Sequence, residues 1–261
     1  MRLHELDRSD PALAGGVAHL YSGGADSSLA ACRLAQVFPT VYCNTFDRPG
    51  FFAADRFPKA HFERMRLRFP ETRFVHNVIP AGRFYAEIEG RDFWRHFRKH
   101  GWLVLNTCGH CKVSLHWRNL VFCLQNGIRY ASDGAVVGAE EFAEQNPRIL
   151  MRELEALYAH FKITLLHPSY EDGLSTEREL LELGITDQGK IKMTTKDMQV
   201  VCTQHILFAM MMRLYLPGRT FEEYERNARA YLRERLEHIQ RETGEFLAKP
   251  EQDTLVARLL G

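Results

Sequence analysis

With 261 residues the chain has room for one large α/β domain, or a domain and an extension, and its 45% hydrophobic and 26% charged content is ordinary for a globular protein. Its 34 basic and 33 acidic side chains leave a net charge of +1, which excludes a chain-wide electrostatic case for nucleic acid and leaves only a local basic patch. No stretch approaches a membrane span, the first residues lack a signal peptide's apolar core, and six cysteines point to thiols, catalysis or metal in a reducing cytoplasm rather than to disulfides.

In chain order, the first element is a strand at Gly16-Val17-Ala18-His19-Leu20-Tyr21, and a helical pattern follows over residues 29–35. Between them stands Ser22-Gly23-Gly24-Ala25-Asp26-Ser27-Ser28. Adjacent glycines let the backbone turn sharply and approach a ligand with no Cβ in the way. The free N–H groups of the helix's first turn face the same point, where the macrodipole favours an anion. Ser22, Ser27 and Ser28 add hydroxyl donors, and Asp26 has the carboxylate to hold Mg²⁺ against phosphate oxygens. The pattern predicts a phosphate or pyrophosphate site. No lysine follows the glycines, so this is not a Walker A loop, and it is not G-x-G-x-x-G. The simpler alternative is a Gly/Ser turn ahead of an ordinary helix cap.

The arrangement S-G-G-x-D-S-S resembles the signature of the PP-loop (N-type) ATP pyrophosphatase superfamily. That resemblance implies a Rossmann-like α/β fold of the PP-loop/HUP type. It also implies cleavage of MgATP between the α and β phosphates, with adenylation of a substrate carbonyl, carboxylate or amide. Ser22, Gly23, Gly24, Asp26, Ser27 and Ser28 would then hold the ATP phosphates, with Asp26 catalytic through its magnesium ion.

Thr40-Val41-Tyr42-Cys43-Asn44-Thr45 and Arg73-Phe74-Val75-His76-Asn77-Val78-Ile79 are the next strand candidates, with a charged helical pattern over 53–69 between them. Ile128-Arg129-Tyr130-Ala131-Ser132 ends at Asp133-Gly134, and Lys162-Ile163-Thr164-Leu165-Leu166-His167 is closed by Pro168. Strands alternating with helices argue for a parallel sheet with helices on both faces. Ligands bind beyond the carboxyl ends of such strands. Asn44, Asp133 and Gly134 fall there with the Ser22 loop and are assigned to the ATP site.

From Arg83-Phe84-Tyr85 to Trp102 the chain interleaves bases with aromatics, notably Arg91-Asp92-Phe93-Trp94-Arg95-His96-Phe97-Arg98-Lys99-His100. Stacking plus cations would suit a nucleobase or a phosphate backbone. An amphipathic helix with its aromatics in the core and its arginines in solvent explains the run equally well. His96 and His100 stand one turn apart, as zinc ligands can, but the glutamate of H-E-x-x-H is missing and a solvated pair is expected.

Cys108-Gly109-His110-Cys111-Lys112 places two thiols within reach of one metal or one sulfur acceptor. Several readings stay open: zinc completed by His110, His116 or Cys123, a dithiol redox pair, or two unrelated core cysteines. A further reading uses Cys202, in Gln199-Val200-Val201-Cys202-Thr203-Gln204. A PP-loop followed by C-x-x-C and a distant single cysteine resembles the enzymes that make 2-thiocytidine in tRNA. The resemblance spans roughly the first four fifths of the chain and takes in Gly127 to Gly134, Pro168, the helical run 176–181 and Gly184-Ile185. It implies that Cys108, Cys111 and Cys202 are catalytic and hold a [4Fe–4S] cluster whose fourth iron carries sulfur. Glu140-Glu141 lies later than that family's acidic pair, and Lys112-Val113-Ser114-Leu115-His116-Trp117-Arg118 replaces its basic run. Cys32, Cys43 and Cys123 read as buried apolar thiols.

After Pro217-Gly218 the chain turns charged and helical, with Tyr224, Ala228, Tyr231, Leu232 and Leu236 on one face. The expected organisation is a PP-loop domain over 1–216 and a helical extension over 217–261. The expected function is ATP-dependent sulfur transfer to a nucleobase, with tRNA or a modified base and a sulfur donor protein or free sulfide as partners. A homodimer is compatible, a membrane partner is not expected, and a PP-loop amide- or nitrile-forming ligase or a nucleotide-binding partner protein are the alternatives.

Overall fold

The computed structural model describes residues 3–47, 59–138, 142–143, 145–170, 176–186, 204–249 and 251–261. These fall into two compact units interleaved in sequence. One is built from the described residues of 1–80, 122–138 and 161–202, the other from those of 81–121, 139–160 and 203–261.

The first unit holds a parallel sheet. Its strands are β1 (Val17–Leu20), β2 (Thr40–Asp47), β3 (Arg73–Pro80), β4 (Tyr130–Ser132) and β5 (Thr164–Leu166), in the order β3-β2-β1-β4-β5. Every pairing is parallel, as in Val17↔Val41, Val17↔Tyr130, Asn44↔Asn77 and Ser132↔Leu166. The α/β, Rossmann-like fold read from the sequence is therefore present. The central strands read as near-continuous apolar runs because a parallel sheet is buried on both faces. Helix α1 (Ala25–Ala35) buries Leu29, Ala30, Ala31, Cys32 and Leu34. It shares a core with Val17, Phe38, Val41 and residues Phe62 and Met65 of α2 (Lys59–Arg68). The first six residues of the predicted helix 53–69 lie outside the described residues. The last two strands are shorter than predicted: Ile128 and Arg129 precede β4, and Lys162, with φ at +58°, turns the chain into β5.

The second unit is helical: α3 (Gly82–Gly90), α4 (Phe93–His100), α6 (Arg152–His160), α8 (Gln204–Tyr215), α9 (Phe221–Ala248) and α10 (Leu255–Leu260). Helix α5 (Thr107–Asn126) has most of its length here, and α7 (Thr176–Glu182) belongs to the sheet-bearing unit. A reciprocal capping box starts α9: the Thr220 hydroxyl accepts from the Glu223 amide and the Glu223 carboxylate accepts from the Thr220 amide. The predicted stripe of Tyr224, Ala228, Tyr231, Leu232 and Leu236 is buried throughout. Helix α9 packs against α6 and the turn at Pro147–Met151, inside this unit. Among the described residues no helix is long and apolar enough to cross a membrane.

Candidate nucleotide site

The chain leaves β1 at Leu20 and enters α1 at Ala25, so the turn between is only Tyr21 to Gly24. Gly23 holds φ at +77°, which a side chain would resist, and Gly24 caps α1 with no side-chain bond to the first-turn amides. The serines organise the turn from within. Ser27 Oγ donates to the Gly24 carbonyl at 3.1 Å and lies 3.0 Å from Ser22 Oγ, while the Gly24 amide donates to Ser22 Oγ at 3.3 Å. Ser28 Oγ stands 3.2 Å from the Tyr21 hydroxyl. Ser22 is exposed, and Ser27 and Ser28 are buried beneath it.

The ends of β2 and β4 meet this turn, and those of β3 and β5 stand behind them. From β2, the Asn44 carbonyl accepts the Tyr21 amide at 2.9 Å, and Thr45 Oγ1 donates to the Tyr21 carbonyl at 2.8 Å. Asn44 Oδ1 in turn accepts from Asn77 Nδ2 of β3 at 2.9 Å. Beyond β4, Gly134 passes so close that a Cβ there would stand 3.0 Å from both Ser27 Cα and Ser27 N. Asp133 Oδ1 lies 2.7 Å from His167 Nδ1, just past β5. Inside β1, His19 ties the layers together, with Nδ1 2.8 Å from Ser132 Oγ and Nε2 2.9 Å from the Ser27 carbonyl. Ser22, Gly23, Gly24, Asp26, Ser27, Ser28, Asn44, Asp133 and Gly134 therefore lie together at the carboxyl end of the sheet. In the order 3-2-1-4-5 the chain runs to opposite sides from β1, and the turn stands at that switch point, where open α/β sheets bind ligands.

Asp26 lies in the first turn of α1, half-buried. Burial pushes its carboxyl pKa up, against the pull of a hydrogen bond with Thr176 and with the help of nearby Glu177. A carboxylate in the first turn of a helix is a group that could hold a divalent cation. Arg33 of the same helix clamps α7, donating to Glu179 at 2.6 Å and to the Pro168 carbonyl at 2.6 Å. That clamp holds the wall from which Thr176 reaches Asp26.

The cysteines sit in the other compact unit. Cys108 and Cys111 lie in the first turns of α5, three residues apart on one face and both buried. The Gly109 amide donates to Asn106 Oδ1 at 3.0 Å, which fixes the start of the helix. His110 points to Tyr231, with Nε2 2.6 Å from the hydroxyl, and burial takes its pKa down to about 3. His116 Nδ1 lies 3.2 Å from the Tyr158 hydroxyl. Cys123 is twelve residues past Cys111, about 18 Å along an α-helix. Cys202 lies outside the described residues. The pair thus offers two sulfur donors on one helix face, which fits one edge of a cluster or a zinc ion. Cys32, Cys43 and Cys123 are fully buried, and burial pushes all three thiols up, Cys32 to about 12.

Helix α4 departs from two expectations for its sequence, that its aromatics lie in the core and that its histidines are solvated. Its aromatic edge faces outward, with Trp94 69% and Trp102, just beyond the helix, 42% exposed. Its inward side chain is His96, and His100 is half-buried beside it, so the two histidines are not the solvated pair the sequence suggested. Tyr231 and Glu234 of α9 supply the cover, on turns too distant in sequence to be read from α4.

His19, Asn77, His167 and Thr176 are site residues that motif reading passed over, and Thr45 stands with Asn44 at the strand end where the sequence placed it. His167 closes a predicted strand, so the rule that placed Asn44 and Asp133 would also have found it. No family model matches the chain, and no match to a curated protein is found.

Proposed function

We propose that the chain is an ATP pyrophosphatase-type adenylating enzyme of the cytoplasm, with its nucleotide at the turn between β1 and α1. The observation that supports this best is the convergence of that serine-organised turn, Asp26 and Gly134 at the switch point of the sheet. In the reaction a substrate oxygen attacks the α-phosphorus of ATP, the bond to the bridging oxygen breaks, and pyrophosphate leaves. Ser22, Ser27, Ser28 and the amides after Gly23 and Gly24 hold the departing pyrophosphate. Asp26 would hold a magnesium ion, which would supply countercharge to the phosphates. Asn44, Asp133 and Gly134 line the nucleotide's flank. A nucleophile then displaces AMP from the activated carbon.

The finer proposal is sulfur transfer to a nucleobase, with Cys108, Cys111 and Cys202 holding a [4Fe–4S] cluster that supplies an iron able to carry sulfur. The donor pair on α5 supports it. The exposed Trp94 and Trp102 beside Arg95 and Arg98 support a base or RNA as partner.

The test is product identity. Incubation with MgATP labelled at the α and γ positions should give AMP and pyrophosphate, and Asp26→Ala should give neither while keeping its circular dichroism spectrum. ADP and inorganic phosphate would overturn the reading. Iron near four per chain in anaerobic protein, lost in Cys108→Ala, would separate sulfur transfer from an amide- or nitrile-forming ligase. Trp94→Ala should weaken tRNA binding by about 1–3 kcal/mol for the stacked base lost, read by filter binding, with ATP turnover unchanged.

A further inference from the structure

His96 and His100 leave the same face of α4 one turn apart, their rings stacked with centroids 6.0 Å apart and planes 18° from parallel. Glu234 of α9 faces both. His100 Nε2 lies 3.0 Å from Glu234 Oε1, His96 Nδ1 lies 3.6 Å from Glu234 Oε2, and the three donor atoms all fall within 4.8 Å of one another. His96 is only 3% exposed, and its Nδ1 has no hydrogen-bond partner. Leaving such a nitrogen unsatisfied is unfavourable. Nitrogen and oxygen ligands about 2.0–2.1 Å from a tetrahedral ion stand roughly 3.3 Å from each other, close to both histidine–carboxylate separations.

We propose that His96, His100 and Glu234 form a binding site for a zinc-like divalent cation, in the same unit as the cysteine pair but separate from it. Two imidazoles and one carboxylate suit zinc among the common cations, and three protein ligands leave a fourth position for water or a small ligand. His100 also lines a cavity of about 460 Å³ with Trp102, Tyr215, Arg219 and Asn227, which gives that position room. The neighbouring cations do not block the site. Arg95 is paired to Asp92 at 2.7 Å, and Arg235 donates to the Arg91 carbonyl at 2.8 Å. Lys99 Nζ sits 2.7 Å from Glu234 Oε1 but is largely exposed, so it swings into solvent when a dication takes its place. Lys99 thus competes with a cation for Glu234.

The experiment uses Co²⁺ as the probe, titrated into chelator-stripped full-length protein, with Zn²⁺ displacement giving the affinity. Ligation by nitrogen and oxygen gives visible d–d bands without the near-ultraviolet sulfur-to-cobalt band that the cysteine pair would add. We expect the d–d bands to persist in Cys108→Ser/Cys111→Ser and the affinity to fall more than about 100-fold in Glu234→Gln and His96→Asn. Lys99→Met should bind more tightly, since the competing ammonium is gone. Zn²⁺ should raise the melting temperature of the parent chain and not that of Glu234→Gln. Unchanged affinity in Glu234→Gln, or d–d bands lost only with the cysteines, overturns the site. If His96→Asn does not fold, the near-isosteric Glu234→Gln decides alone. None of these readouts depends on ATP turnover, so the site and the adenylation reading fail separately.

Discussion

Asp26→Asn is expected to make the protein more stable and inactive at once. The carboxyl pKa is raised because burial disfavours the charged form more than the Thr176 hydrogen bond favours it. A raised folded pKa means that its stability contribution is full below the unfolded value of 3.8 and is lost as pH rises through the folded value. At neutral pH the parent therefore holds a charge that the fold disfavours. Asparagine keeps the shape and an acceptor for Thr176 without the charge, at the loss of about 0.3–1 kcal/mol of favourable helix-dipole interaction. Each kcal/mol of net relief raises the melting temperature by about 2–4 °C in a chain of this size. Pyrophosphate release should fall by at least roughly a hundred- to a thousand-fold, because the magnesium ion loses its protein anchor. Adding MgATP should then reverse the order of melting temperatures, since only the parent gains binding energy from it. A variant less stable than the parent at pH 7 and at pH 4 alike would show that Asp26 is a structural carboxylate.

Gly134→Val should remove nucleotide binding without replacing any residue that donates to phosphate. The Cβ at Gly134 would meet backbone, Ser27 Cα and N at 3.0 Å and the Asp26 carbonyl carbon at 3.2 Å, and backbone cannot rotate aside as a side chain can. The first turn of α1 must move, and with it the serines that shape the pyrophosphate cradle. Overpacking of this kind costs about 1–3 kcal/mol. Binding and catalytic geometry tolerate little displacement at a reacting centre. Gly244→Ala is the control. Its Cβ would meet nothing within 4 Å near the carboxyl end of α9, so the change should stabilise the chain by about 0.5–1 kcal/mol. Calorimetric titration with a non-hydrolysable ATP analogue distinguishes the two. Full affinity in Gly134→Val would place the nucleotide away from this turn.

The features legible in the sequence were those encoded locally. The turn at Ser22 announces itself by its glycines, and the stripe Tyr224, Ala228, Tyr231, Leu232, Leu236 by its period; both are where they were expected. Strand ends were less sharp, because Ile128 is apolar without belonging to β4 and Lys162 stands in a left-handed turn before β5. What escaped was decided by partners far along the chain. His96 and His100 are covered by Tyr231 and Glu234, and their identity alone suggested solvent. His167 meets Asp133 through sheet order, which no window of sequence displays. The outward face of Trp94 is opposite to what hydrophobic pattern alone would assign, because α9 meets the histidine side of α4.

The sheet order also sets a timetable. β1 pairs on one side with β2, soon after it in the chain, but on the other with β4, and the contact between His19 and Ser132 joins residues 113 apart. At the usual pace of translation, on the order of ten seconds separates the synthesis of those two positions. During that interval β1, β2 and β3 can assemble while the inner edge of β1 has no neighbour. That exposed edge is a template for wrong pairing. Contacts of such long range are also slow to form, because the intervening chain must be closed before they repay it. Newborn chains stalled before residue 134 should therefore carry the whole glycine–serine sequence and still fail to retain ATP.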